Sequence, residues 1–146
     1  MTGTASTTKG PGDDTSTDDG AAPDDVWRAA MTARRHAYAP YSRFDAGAAV
    51  RSVDGVLHTG VIVENISLGL AMCAERVALF ATVAAGGTPA ELAVAAPPTA
   101  GGRTWPCGAC LQVALELGGP DLRVVAGGPA GDPAPAPAGG RRPQGP

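Results

Sequence analysis

Apolar residues first recur at helical spacing in DDVWRAAMTARRHAY (24–38), where Val26, Ala30, Ala33 and Ala37 fall on one side. The stretch opens on acids and carries its arginine pair late, the order a helix dipole favours, so it predicts a helix over 24–38. Pro40, in APYSRFDAG, breaks it. The period then changes: AAVRSVDGVLHTGVIVEN (48–65) holds two β-branched runs joined through Asp54-Gly55, the signature of a β-hairpin. CAERVALFATVAAGG (73–87) returns to helical spacing, with Cys73, Val77, Phe80 and Ala84 on one side and a glycine pair as its stop. ELAVAA (91–96) reads as a short buried strand and DLRVVAG (121–127) as a last one. Between them PCGACLQVALELGG (106–119) reads as a helix, with Pro106 at a favoured first-turn position. Helix, hairpin, helix, strand, helix, strand is an α/β order, because strand-helix-strand units make parallel neighbours with helices on the sheet faces.

The ends do not follow either period. Of 146 residues, 21 are glycine and 14 proline, and about half of these lie in residues 1–23 and 127–146. Residues 1–23 are rich in Thr, Asp and Gly, with almost nothing apolar to offset ordering entropy, and are expected to be a disordered tail. Residues 127–146 alternate proline with small residues, which favours an extended polyproline form, and are expected to be a second loose tail. One domain over 24–126 remains, with 44% hydrophobic residues in the chain to build its core.

A net charge of −3, with much of the acid at Asp13, Asp14, Asp18, Asp19, Asp24 and Asp25, leaves no broad basic surface and argues against nucleic acid as a partner. No basic-then-apolar leader opens the chain and no uncharged run is long enough for a bilayer, so a cytoplasmic protein with no membrane partner is expected. Three cysteines, an odd number, disfavour a disulfide framework and point to metal or catalytic thiols.

Cys107 and Cys110 stand about one turn apart at a helix start, so both sulfurs can face one ion. Cys73 also stands at a predicted first turn, where the helix dipole favours the thiolate a metal requires. Zn²⁺ takes such ligands tetrahedrally; three protein ligands with an open position describe a catalytic site, and a fourth, His36 or His58, would describe a structural one. Glu75, two residues after Cys73, favours the catalytic reading, since a carboxylate there can move protons without being a ligand. Three thiolates on a divalent ion leave about −1 of charge, which Arg76 can offset.

With CAER (73–76) and PCGAC (106–110) in view, the chain resembles the small zinc-dependent cytidine deaminases. YAPYSRF (38–44), GAAV (47–50), DG and TG (54–60) and VEN (63–65) belong to the same resemblance, which covers roughly residues 24–125. It implies a three-layer αβα sandwich with a mixed sheet, commonly a homotetramer whose sites are completed by neighbouring subunits. It also implies that Cys73, Cys107 and Cys110 hold Zn²⁺ with an activated water in the fourth position, and that Glu75 shuttles protons while water replaces the amino group at C4 of cytidine or deoxycytidine. The products would be the uracil nucleoside and ammonia, a step of pyrimidine salvage. By the same resemblance the base carbonyl meets backbone N–H near Ala74, Phe44 lies beside the ring, and Glu64 binds a ribose hydroxyl.

The chain departs from the family's pattern at several places. Ile62 and Leu68 stand where Asn and Tyr are usual around VEN, removing a polar sugar contact; Leu111 replaces an Arg after PCGAC; Asp45 replaces a common Pro; and no closing apolar strand and helix are found in GDPAPAPAGGRRPQGP (131–146). Two other readings stay open at this point. The substrate could be another amino-heterocycle or a modified nucleoside, or the chain could be a non-catalytic homologue stabilised by zinc.

Overall fold

The computed structural model describes residues 23–100, 102–127 and 133–137. Their order is α1 (Pro23–Arg34), β1 (Gly47–Ser52), β2 (Leu57–Val61), a single 3₁₀ turn (Leu68–Leu70), α2 (Ala74–Ala84), β3 (Pro89–Ala95), α3 (Gly108–Gly118), β4 (Arg123–Gly127) and β5 (Pro133–Pro137). The strands form one mixed sheet in the order β2-β1-β3-β4-β5. β1 runs antiparallel to both β2 and β3, β3 runs parallel to β4 through the α3 crossover, and β5 returns antiparallel to β4.

Strand alternation divides the core between two faces. Ala48, Val50, Leu92 and Val124 pack with Ala74, Ala78 and Leu79 of α2 and Ala114 of α3. Ala49, Ala93, Ala95 and Val125 point the other way, onto Val26, Trp27 and Ala30 of α1. The result is the three-layer αβα sandwich. Both faces are covered, so Leu92 to Ala95 are buried without a polar interruption, as a central strand requires. At one end of the α1 face, Arg51 pairs with Asp25 of α1 and with Glu91, which also meets Arg123, tying the start of α1 to three strands.

The hairpin forms where the sequence places it. Gly55 takes φ +87°, and Ser52 N–H donates to the Val56 carbonyl at 2.9 Å. Four expectations need correction. α2 buries Ala74, Glu75, Ala78, Leu79 and Thr82, not the predicted side of Cys73, Val77, Phe80 and Ala84, because the helix start rests on Gly60. α1 stops at Arg34, not Tyr38, because the Tyr38 N–H leaves the helix direction to bond the Ile62 carbonyl at 2.9 Å, and the approach to Pro40 disfavours further helix. Pro106 precedes α3 instead of opening it, since Cys107 is the N-cap. Finally, residues 133–137, expected within a loose tail, form β5. Proline cannot donate to a ladder, so the donors of β5 toward β4 are Ala134 and Ala136, and prolines at 133, 135 and 137 suit a strand that, among the described residues, has no neighbour on its other side. The tail expected over 1–23 lies outside the described residues except at Pro23, as do 128–132 and 138–146 of the second tail.

Candidate active site

The helix starts of α2 and α3 meet on the same face of the sheet. Cys73 is the N-cap of α2 and Cys107 the N-cap of α3, both with extended backbone, and neither side chain caps its own helix. Their sulfurs are therefore free to converge with Cys110, in the first turn of α3. All three sulfurs lie within 4.8 Å of one another, with Cys107 Sγ to Cys110 Sγ at 3.5 Å. Four bonds of ~2.3 Å in a tetrahedron would set sulfurs about 3.8 Å apart, so the cluster fits one Zn²⁺ with little movement. Among the described residues no further His, Cys, Asp or Glu joins the cluster. His36 is exposed beside α1, across the sheet, and His58 lies near Asp54 by the hairpin turn. Neither completes a structural site.

The electrostatics suit a cationic guest. Arg76, one turn into α2, points Nη2 at Cys73 Sγ from 3.4 Å. The Cys73 thiol is held down to about 5 by its bond with Cys110, and then by Arg76, against the opposing cost of burial. Cys110 moves upward because its own S–H is held in the hydrogen bond to Cys73 and because it is buried. Leu111, half-buried beside it, adds no charge. Glu75 follows Ala74 into the interior and is only 6% exposed. Burial pushes its carboxyl above the usual range, with the negative charge at Cys73 acting in the same direction. A carboxyl shifted in that direction holds its proton more firmly than a solvated one, which suits a group that takes up and returns protons.

Close packing sets this depth. A Cβ on Gly60 of β2 would stand 2.4 Å from Ala78 N and 2.5 Å from the Ala74 carbonyl oxygen, so the first turn of α2 rests directly on the strand. Ala74 is fully buried there, and as the first helical residue its N–H has no carbonyl partner within α2. The segment from Glu64 to Cys73 is closed by reciprocal bonds between Val63 and Met72, at 3.0 and 2.9 Å, which bring the end of VEN back beside the thiols.

The remaining expected site residues gather on the adjoining loop. Tyr38 bridges Val63 in parallel, with Glu64 N–H donating to the Tyr38 carbonyl at 2.8 Å. The loop then turns through Arg43 at φ 57° and directs Phe44 onto the edge of the core cluster that contains Ala74. Ile62 packs against the same cluster, whereas Leu68 is 87% exposed. Asp45 is exposed, its carbonyl accepting from Arg34 Nε at 2.9 Å. Sequence reasoning missed Ser42 and the Tyr41 amide, which hold the Glu64 carboxylate. Both lie in YAPYSRF, but at 22 and 23 residues from Glu64 nothing in that stretch alone pairs them with its carboxylate. Depressions of about 560 and 320 Å³ run along α1 instead, and none of the three thiols lines either.

Comparison with known proteins agrees with this geometry. The family model for the cytidine and deoxycytidylate deaminase zinc-binding region matches residues 22–127. A cytidine deaminase of Halalkalibacterium halodurans is 44% identical over 103 residues, 70% of this chain and 77% of that protein. One from Mycobacterium tuberculosis is 45% identical over 95 residues, 65% of this chain and 71% of that protein. The crystal structure of cytidine deaminase from Burkholderia pseudomallei superposes with a TM-score of 0.76 at 46% identity, covering 82% of this chain and 94% of that one. The enzyme from Mycobacterium leprae gives 0.69 at 38%, covering 83% and 97%. With three thiols meeting at two helix starts beside a buried carboxyl, and the match spanning the whole sandwich from α1 to β4, the chain belongs to the zinc-binding cytidine and deoxycytidylate deaminase family.

Proposed function

We propose that the protein is a zinc-dependent hydrolase that deaminates cytidine, and deoxycytidine, to the uracil nucleoside and ammonia, a reaction of pyrimidine salvage. The observation that carries this reading is the convergence of Cys73, Cys107 and Cys110 around a protected, charge-shifted Glu75. The three thiols would hold Zn²⁺, which when bound supplies a Lewis acid that makes water a nucleophile near neutral pH. Arg76 offsets the surplus negative charge of the thiolates. Glu75 takes a proton from the attacking water and delivers one to ring N3, so that C4 becomes electrophilic. The oxygen bonds to C4, the C4–N bond breaks, and Glu75 passes a proton to the departing amine, which leaves as ammonia. The buried Ala74 amide donates to the base carbonyl, Phe44 supports the ring and Glu64 accepts from a sugar hydroxyl.

Purified, zinc-loaded protein tests this by the ultraviolet change that accompanies cytidine loss, with ammonia measured in parallel. Folded enzyme that releases neither uridine nor ammonia at high concentration would rule the reading out. A different amino-heterocycle as substrate is favoured by one observation, the apolar Ile62 packed where a polar sugar contact is usual. A substrate panel separates the two: ordinary cytidine turnover, unimproved by Ile62→Asn with Leu68→Tyr, counts against the alternative.

The finer assignments follow from the same reading. A cytoplasmic homotetramer belongs to the same proposal, and subunit association is supported by Ile66, Leu68 and Leu70, which are 82, 87 and 69% exposed in the segment joining Glu64 to Cys73. Three exposed apolar side chains within one short segment suit burial by another subunit. Among the described residues, no helix is long and apolar enough to cross a membrane.

A further inference from the structure

Glu64 lies just beyond β2, and one loop meets its carboxylate three times. Tyr41 N–H and Ser42 N–H donate to Oε2 at 2.9 and 3.2 Å, and the Ser42 hydroxyl donates to Oε1. The same hydroxyl accepts Phe44 N–H at 3.0 Å. An ionised carboxylate offers about four acceptor positions, so three donors leave one for a ligand. The residues around Glu64 add nothing to this grip. Ile62 has no donor in its side chain and packs into the core, and the Asn65 side-chain oxygen accepts from Ser67 N–H at 2.9 Å. The loop is itself braced, by Arg43 N–H to the Ala39 carbonyl at 3.0 Å and by the Tyr38 bridge to Val63. Its donors are thus presented to Glu64 before any ligand arrives.

We propose that Ser42 is a positioning residue of the substrate site: its hydroxyl aims the Glu64 carboxylate at one hydroxyl of the ligand while fixing the backbone that presents Phe44. Sugar and ring contacts are then set by a single side chain. In this chain Ser42 does the orienting that a polar side chain at position 62 could otherwise share. The inference rests on the reading of the protein as a nucleoside deaminase and goes further by saying what holds the sugar contact in place. A simple loop clasp would behave differently, since its loss would lower stability and leave recognition of the sugar unchanged.

Steady-state kinetics of the zinc-loaded full chain separate these roles. Ser42→Ala is expected to raise KM for cytidine about ten-fold while kcat stays within about two-fold, and Ser42→Thr, which keeps the hydroxyl, to recover most of the loss. With 2′,3′-dideoxycytidine, which lacks the ring hydroxyls of the sugar, the penalty in Ser42→Ala should shrink. An unshifted KM in Ser42→Ala, or an equal penalty on both nucleosides, overturns the positioning role alone. Failure of the unmutated enzyme to convert cytidine overturns that role together with the deaminase reading.

Discussion

Glu75 owes its proposed chemistry to where it sits more than to what it is. A glutamate in the first turn of a helix is ordinarily a solvated partner of the helix dipole, but the contact of α2 with Gly60 buries this one beside two thiols. Glu75→Gln keeps the shape and removes the proton carrier. It should lower kcat by at least about a thousand-fold while zinc content, measured by atomic absorption, stays at the unmutated level. Arg76 acts at one remove. Arg76→Ala leaves the thiolates without their nearby cation and should reduce retention of zinc under competition with a chelator, more than Arg76→Lys does. Ordinary retention in Arg76→Ala would mean that the thiolates need no such balance.

Contacts between elements set the depth and angle of the helix starts. Gly60→Ala introduces a Cβ that meets backbone atoms of α2, which cannot swing aside as a side chain can. It should cost about 2–3 kcal/mol in urea denaturation and lower activity by lifting Glu75 out of position. At the other face, Arg51 holds the Asp25 carboxyl below its usual range, chiefly through their hydrogen bond. A depressed carboxyl stabilises the fold above its unfolded pKa of about 3.9, and the contribution is lost as pH falls through the lower folded value. The pair is partly exposed, so Asp25→Asn should cost no more than about 1 kcal/mol at neutral pH. The difference from the unmutated protein should close as pH drops below about 4, when read from denaturation midpoints.

The same contacts explain what the sequence could reveal. The convergence of the three cysteines was legible because each sits at or within one turn of a helix start, where spacing along the chain translates directly into spacing in space. β3 and β4 were legible through their short apolar runs and α2 through its glycine stop, although the predicted side of α2 was not the one that became buried. The grip of Ser42 on Glu64 was not, because it depends on the Tyr38–Val63 bridge, a pairing that forms only after the chain folds back. That bridge also ended α1 four residues earlier than its apolar spacing alone predicted. β5 escaped because alternating prolines read as polyproline, and only the donor-poor edge of a finished sheet makes such a strand acceptable.

At the scale of the whole molecule, a zinc ion held by Cys73 of the α2 start and by Cys107 and Cys110 of the α3 start would link the two helices. Ligand that binds the folded state alone adds stability, so stripping the metal with a chelator should lower the thermal midpoint, and restoring zinc should recover it. The exposed Ile66, Leu68 and Leu70 belong to the same scale: Leu68→Asp should shift the protein to smaller species in light scattering if that surface packs between subunits. The most direct measurement follows the conversion of cytidine by zinc-loaded enzyme and by Glu75→Gln at equal zinc content. Equimolar uridine and ammonia from the unmutated protein, with turnover in Glu75→Gln reduced by at least about a thousand-fold, is the expected result. Folded, zinc-replete protein that leaves cytidine intact, or a Glu75→Gln variant that converts it at the same rate, would contradict it.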